Sequence, residues 1–166
     1  DPFTIKQTFY FGHSKPISNF ILACHGEILF SNQEGTNSII RVWKTETGRC
    51  IKMLTTPFDK IIMMTENKES KYLCTVGNEQ NRTSIIVWNI ENLENITVFI
   101  KQATPIDINT IKFSPFEEDI LYSCGRENIK CWRIKNDHLN GKSIVLNQFA
   151  RGNNFLCLDY NNAMLR

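Results

Sequence analysis

Along the chain, short apolar runs of four to eight residues alternate with polar breaks, and no stretch keeps the 3.6-residue period of an amphipathic helix. The first runs are Ile5–Tyr10, Ile17–Leu22, Ile28–Ser31 and Ile39–Trp43. Next come Cys50–Leu54, Lys60–Thr65, Tyr72–Val76 and Ile85–Trp88, then Ile96–Ile100, Asn109–Phe113, Ile120–Cys124 and Ile129–Trp132. Each is rich in β-branched or aromatic residues and bounded by Gly, Asn, Pro or Ser, so each is predicted to be a strand. After Trp132 the pattern resumes with Ser143–Leu146 and Phe155–Tyr160. The breaks carry turn chemistry: Gly48 suits a tight reversal, Pro115 ends a ladder because it has no N–H, and Gly125–Asn128 is a short turn. Ile61-Ile62-Met63-Met64 and Ile85-Ile86-Val87-Trp88 are apolar at every position. A sheet with one wet face disfavours such runs, whereas strands covered on both faces require them.

A longer period organises these strands. The three tryptophans, Trp43, Trp88 and Trp132, each close the same kind of phrase and stand 45 and 44 residues apart. Recurrence at roughly 40–45 residues, with Trp near the end of a third strand, marks the blades of a β-propeller. The expected fold is all-β: a partial β-propeller of four-stranded antiparallel blades. The blades are placed at 3–43, 48–88 and 95–134, with a partial fourth over 143–160. A β-sandwich also has many short strands, but it leaves the tryptophan register unexplained. Fewer than four blades do not close a ring, so the remaining blades are expected from the same parent chain.

Composition narrows the setting. A chain that is 42% hydrophobic and 22% charged is globular, and a formal net charge of +2 gives no general pull toward nucleic acid or anionic membrane. No apolar run approaches the roughly 20 residues of a membrane helix. The opening Asp1-Pro2-Phe3-Thr4 lacks a basic n-region and an apolar h-region, and reads like the inside of a longer chain. The six cysteines form no C-x-x-C pair and sit mostly within apolar runs, as expected of a reducing, intracellular compartment. The sequons at Asn81 and Asn95 matter only in a secreted protein, and chance matches are expected in an Asn-rich chain.

Catalytic constellations are not evident. Gly141-Lys142-Ser143 echoes the end of a phosphate-binding loop, but Asn136 stands where that motif needs Gly, and a strand is expected to follow instead of a helix. His13 lies in a turn, Cys24-His25 in a hairpin without further ligands, and His138 in a polar loop. No catalytic, cofactor or metal site is therefore assigned, and the protein is expected not to be an enzyme. A possible interaction patch groups Arg126, Lys130, Arg133, Lys135 and Lys142 on the outer strands of the third blade. Its simpler reading is charge that keeps outer strands soluble and unpaired. Glu117-Glu118-Asp119 reads as a solvated turn.

With these residues in view, the chain resembles the WD-repeat family. Gly12-His13 matches the Gly-His of its repeat, while the residue after each Trp, usually Asp, is Lys44, Asn89 or Arg133. The resemblance implies a buried hydrogen-bonded network in the first blade drawn from His13, Ser31 and Trp43, with Trp88 and Trp132 at matching structural positions. The missing Asp residues imply degenerate blades held more by apolar packing. The phrase from Phe113-Ser114-Pro115 through Tyr122-Ser123-Cys124-Gly125 to Trp132-Arg133, and the stretch Ile28–Cys50, are similar to EMAP-like microtubule-associated propellers and to centriolar and ciliary WD-repeat proteins. That likeness implies a non-enzymatic scaffold in the cytoplasm and cytoskeleton, at an axoneme, basal body or centriole, with tubulin or associated proteins as partners. The alternative is an adaptor subunit of another intracellular complex, such as ubiquitin ligation or RNA processing.

Overall fold

The computed structural model describes residues 7–35 and 37–161. Among the described residues, twelve strands form three four-stranded antiparallel sheets, each built in chain order. The first holds β1 (Ile17–Ala23), β2 (Ile28–Gln33), β3 (Ile39–Lys44) and β4 (Arg49–Thr55). The second holds β5 (Lys60–Glu66), β6 (Tyr72–Glu79), β7 (Arg82–Asn89) and β8 (Thr97–Thr104). The third holds β9 (Thr110–Phe113), β10 (Ile120–Gly125), β11 (Asn128–Lys135) and β12 (His138–Ser143). The helical elements among the described residues are three-residue 3-10 turns at Cys24–Gly26, Leu93–Asn95 and Asn147–Phe149.

The sheets stack as propeller blades, and two apolar cores lie between them. Phe30, Ile40, Val42 and Leu54 of the first blade pack on Leu73, Ile86 and Trp88 of the second. Cys74, Val76, Ile85, Val87 and Ile100 of the second pack on Ile111, Leu121, Trp132 and Leu139 of the third. Consecutive residues of β7 thus serve opposite cores, which is why Ile85-Ile86-Val87-Trp88 carries no polar position. Each such side chain contributes roughly 1.5–3 kcal/mol by leaving water.

The sheets are offset by one strand from the sequence repeats 3–43, 48–88 and 95–134. The strand after each Trp strand pairs with it: β4 on β3, β8 on β7 and β12 on β11. The run Ile5–Tyr10 begins outside the described residues, as does the repeat beginning at 3, and residues 7–10 join no ladder. The expected strand Ser143–Leu146 is instead β12, so His138 lies in a strand and not in a loop. Asn136 and Asp137 take φ of 51° and 59° and form a two-residue hairpin turn, a conformation these residue types tolerate. That strand escapes an apolar search because Leu139 is its one buried residue. Of the expected start of a fourth blade over 143–160, Ser143 ends β12, and residues 144–160 carry a 3-10 turn and a single bridge, Arg126 to Asn154, rather than paired strands.

Candidate interaction surface

The three indoles occupy one seat repeated three times. In register, Leu29 faces Trp43, Leu73 faces Trp88 and Leu121 faces Trp132. Two residues after each leucine stands a buried hydroxyl that accepts the indole N–H: Ser31 at 2.7 Å, Thr75 at 3.0 Å and Ser123 at 2.8 Å. Thr75 and Ser123 escaped the sequence reading. Their signal is the phrase Leu-x-Ser/Thr before each Trp strand, blurred by turns of unequal length between the two strands.

Room for each indole comes in two ways. Opposite Trp43 and Trp88 the outer strand shifts register, a bulge that clears the ring. Opposite Trp132 the register is regular and the facing residue is Gly141, where a Cβ would lie 2.7 Å from the ring. Gly141-Lys142-Ser143 is thus strand backbone fitted to an indole, not a phosphate-binding loop.

His13, Ser31 and Trp43 come together in the first blade. His13 Nε2 lies 2.7 Å from Ser31 Oγ and Nδ1 lies 3.2 Å from Gln33 Oε1. Gln33 Oε1 also accepts the Ser14 N–H, which fixes the amide orientation. Nδ1 therefore carries the proton, and Ser31, already accepting from Trp43, donates to Nε2. This is a neutral imidazole, and burial holds the His13 pKa below its ordinary value, opposed by the Gln33 bond and assisted by Arg41. Tyr10 packs edge-on to Trp43 at 5.6 Å, so residues 10–13 cover the outer half of the first blade's free face.

The five basic residues do not share one face. Arg126 lies at the β10–β11 turn. Lys130 Nζ sits 4.7 Å over the Trp132 ring, on the side facing the second blade. Arg133 is paired with Glu117 at 2.9 Å and Asp119 at 3.4 Å, so two of the three acidic residues of that turn neutralise it. Lys135 and Lys142 remain on the far face of the third blade, beside a hollow shared with Cys131, Arg133 and His138. Cys24 and His25 lie in the 3-10 turn after β1, where burial and then Glu66 push the Cys24 thiol up. Among the described residues, no three His, Cys, Asp or Glu side chains gather closely enough to hold a metal ion. Among the described residues, no helix is long and apolar enough to cross a membrane.

Both outward faces of the stack are apolar in part. Phe20 and Leu22, on the Trp43 side of the first blade, are 72% and 58% exposed. Beyond β12, Val145, Phe149 and Leu156 are 80%, 72% and 68% exposed. Residues 154–160 run beside β9: Asn109 donates to Phe155 O at 2.9 Å, and Lys112 pairs with Asp159 at 3.1 Å, holding that carboxyl below its usual range.

No family model matches the chain. It is 28% identical over 150 residues to WD repeat-containing protein 90 of Xenopus tropicalis, covering 88% of this chain and 8% of that protein. It is 30% identical over 147 residues to Centriole proteome protein 16 of Chlamydomonas reinhardtii, covering 85% of this chain and 7% of that protein. The chain therefore spans less than a tenth of the length of these curated relatives. Among solved structures it is similar to the RRP9 WD40 repeats, with a TM-score of 0.65, 17% identity and coverage of 80% of this chain and 39% of that one. A chain of the mitotic checkpoint complex gives a TM-score of 0.67 and 17% identity over 87% of this chain and 43% of that one. At such identities the likeness to solved structures speaks for the fold.

Proposed function

We propose that this chain, a section of a WD-repeat β-propeller, is part of a non-enzymatic scaffold of a microtubule-based structure. The setting is a cilium axoneme, basal body or centriole, within the cytoplasm and cytoskeleton. Further blades of the same parent chain complete the ring, and its partners are tubulin or microtubule-associated proteins.

The observation that carries this reading is the 30% identity to Centriole proteome protein 16 over 85% of the chain. Geometry supports the scaffold part. A stack of blades locked by indole hydrogen bonds is stiff, and its loops present several sites at fixed spacing. The apolar residues left open on both outward faces, above all Phe20 and Leu22, support completion by further blades.

Microtubule co-sedimentation of the full-length protein, with imaging of a tagged copy in ciliated cells, tests the reading. Pelleting with microtubules at low salt and a signal at centrioles or axonemes are expected. A protein that stays in the supernatant and localises elsewhere contradicts it and favours an adaptor in another complex.

A further inference from the structure

On the far face of the third blade, four residues form a row straight across the sheet: Lys112, Tyr122, Cys131 and Lys142. Residues 159 and 160 cover its inner half. Tyr160 packs edge-on to Tyr122 at 6.0 Å and donates to Lys112 O, while Asp159 pairs with Lys112. The outer half is open, and Cys131 and Lys142, with Arg133, Lys135 and His138, line a hollow of about 660 Å³.

The first blade contains the same row already filled. There it reads Ile21, Phe30, Val42 and Lys52, so Lys52 stands in the place of Lys142, and Lys44, the residue after Trp43, in that of Arg133. Lys52 Nζ donates to the carbonyl of Glu94 at 2.6 Å. Glu94 belongs to the turn that the second blade sends out between its third and fourth strands, a turn that also carries Glu91. The lysine at the outer end of the row is thus met by a main-chain carbonyl of an acidic turn of the next blade.

The second blade is the internal control. Its row, Thr65, Cys74, Val87 and Ile100, is buried and ends without a lysine. The turn that the third blade presents to it is only Asn136 and Asp137. The row that ends in lysine meets a long acidic turn, and the row that ends in isoleucine meets a short one.

We infer that the Lys142 hollow is the seat of an acidic turn between the third and fourth strands of the following blade. Lys142 donates to a main-chain carbonyl of that turn, and Lys135 and His138 face its carboxylates. The inference rests on the ring being completed by further blades, and it makes these lysines part of a blade interface instead of a landing place for another polymer.

The test is amine footprinting of the full-length protein with an acetylating reagent, read by mass spectrometry, with exposed Lys68 as internal reference. Hydroxyl-radical oxidation of Phe20 and of Met53, a β4 residue 58% exposed in the first blade, and carbodiimide coupling of lysines to carboxylates are run alongside. Expected are acetylation of Lys142 about tenfold slower than of Lys68 and coupling of Lys142 or Lys135 to a Glu or Asp of the same polypeptide beyond residue 166. If Lys142 reacts as fast as Lys68 while Phe20 and Met53 are protected, the ring is complete and the seat is empty, which overturns the inference alone. If all are reactive, the inference and the ring fall together. Coupling to a different polypeptide also overturns it.

Discussion

The indole seats set the cost of single substitutions. Ser123→Ala leaves the Trp132 N–H buried without an acceptor, and the expected loss is about 1–3 kcal/mol of unfolding free energy in denaturant titration. Thr75→Val should cost a similar amount through Trp88, while Thr75→Ser, which keeps the hydroxyl, costs less. Gly141→Ala should lose about 1–3 kcal/mol by forcing a methyl against the Trp132 ring. Asn140→Ala, next to it and exposed, should be nearly neutral. His13 adds a pH dependence. Its folded pKa lies below the ordinary 6.5, so the unfolded chain binds the proton more readily. The stabilisation is complete above the unfolded value and is lost as pH falls through the folded one. Trp43 fluorescence should therefore change on acidification from about pH 7 to 5 as residues 10–13 loosen. In His13→Asn that transition should be missing.

At the scale of elements, the strands most legible in the sequence are those buried on both faces. Ile85–Trp88 announces β7 because consecutive positions feed two separate cores, and no polar residue is tolerated there. The same logic gives a test: Ile86→Ala should open a cavity against the first blade and Ile85→Ala one against the third, each costing about 2–5 kcal/mol. Exchange protection should fall first on the side of the substitution. What the sequence hid has a common cause. β12 is an outermost strand with one buried residue, so no apolar period marks it. The offset between repeat and sheet was also invisible, because the repeat counts from Trp to Trp while hydrogen bonding joins each Trp strand to the strand that follows. The basic patch looked single in sequence, but strand alternation sends Lys130 and Lys135 to opposite faces.

For the molecule as a whole, the strand offset decides what lies open. Residues 10–13 cover the outer half of one end face, and residues 154–160 cover the inner half of the other. The uncovered halves carry Phe20 and Leu22 at one end and the Lys142 hollow at the other, and they are the faces on which the proposed ring continues. The 166-residue chain alone should self-associate with rising concentration in sedimentation velocity, and Phe20→Ser with Leu22→Thr should reduce that association without unfolding it. The central claim is that three tryptophans sit in equivalent, hydroxyl-capped seats of stacked blades. Its most direct measurement is hydrogen exchange at the three indole N–H groups by NMR, with Ser31→Ala, Thr75→Val and Ser123→Ala as assignments. Three slowly exchanging signals are expected, each moved by its own hydroxyl substitution and little by the other two. An indole that exchanges like one in free solution, or that ignores the loss of its own hydroxyl, would contradict the account.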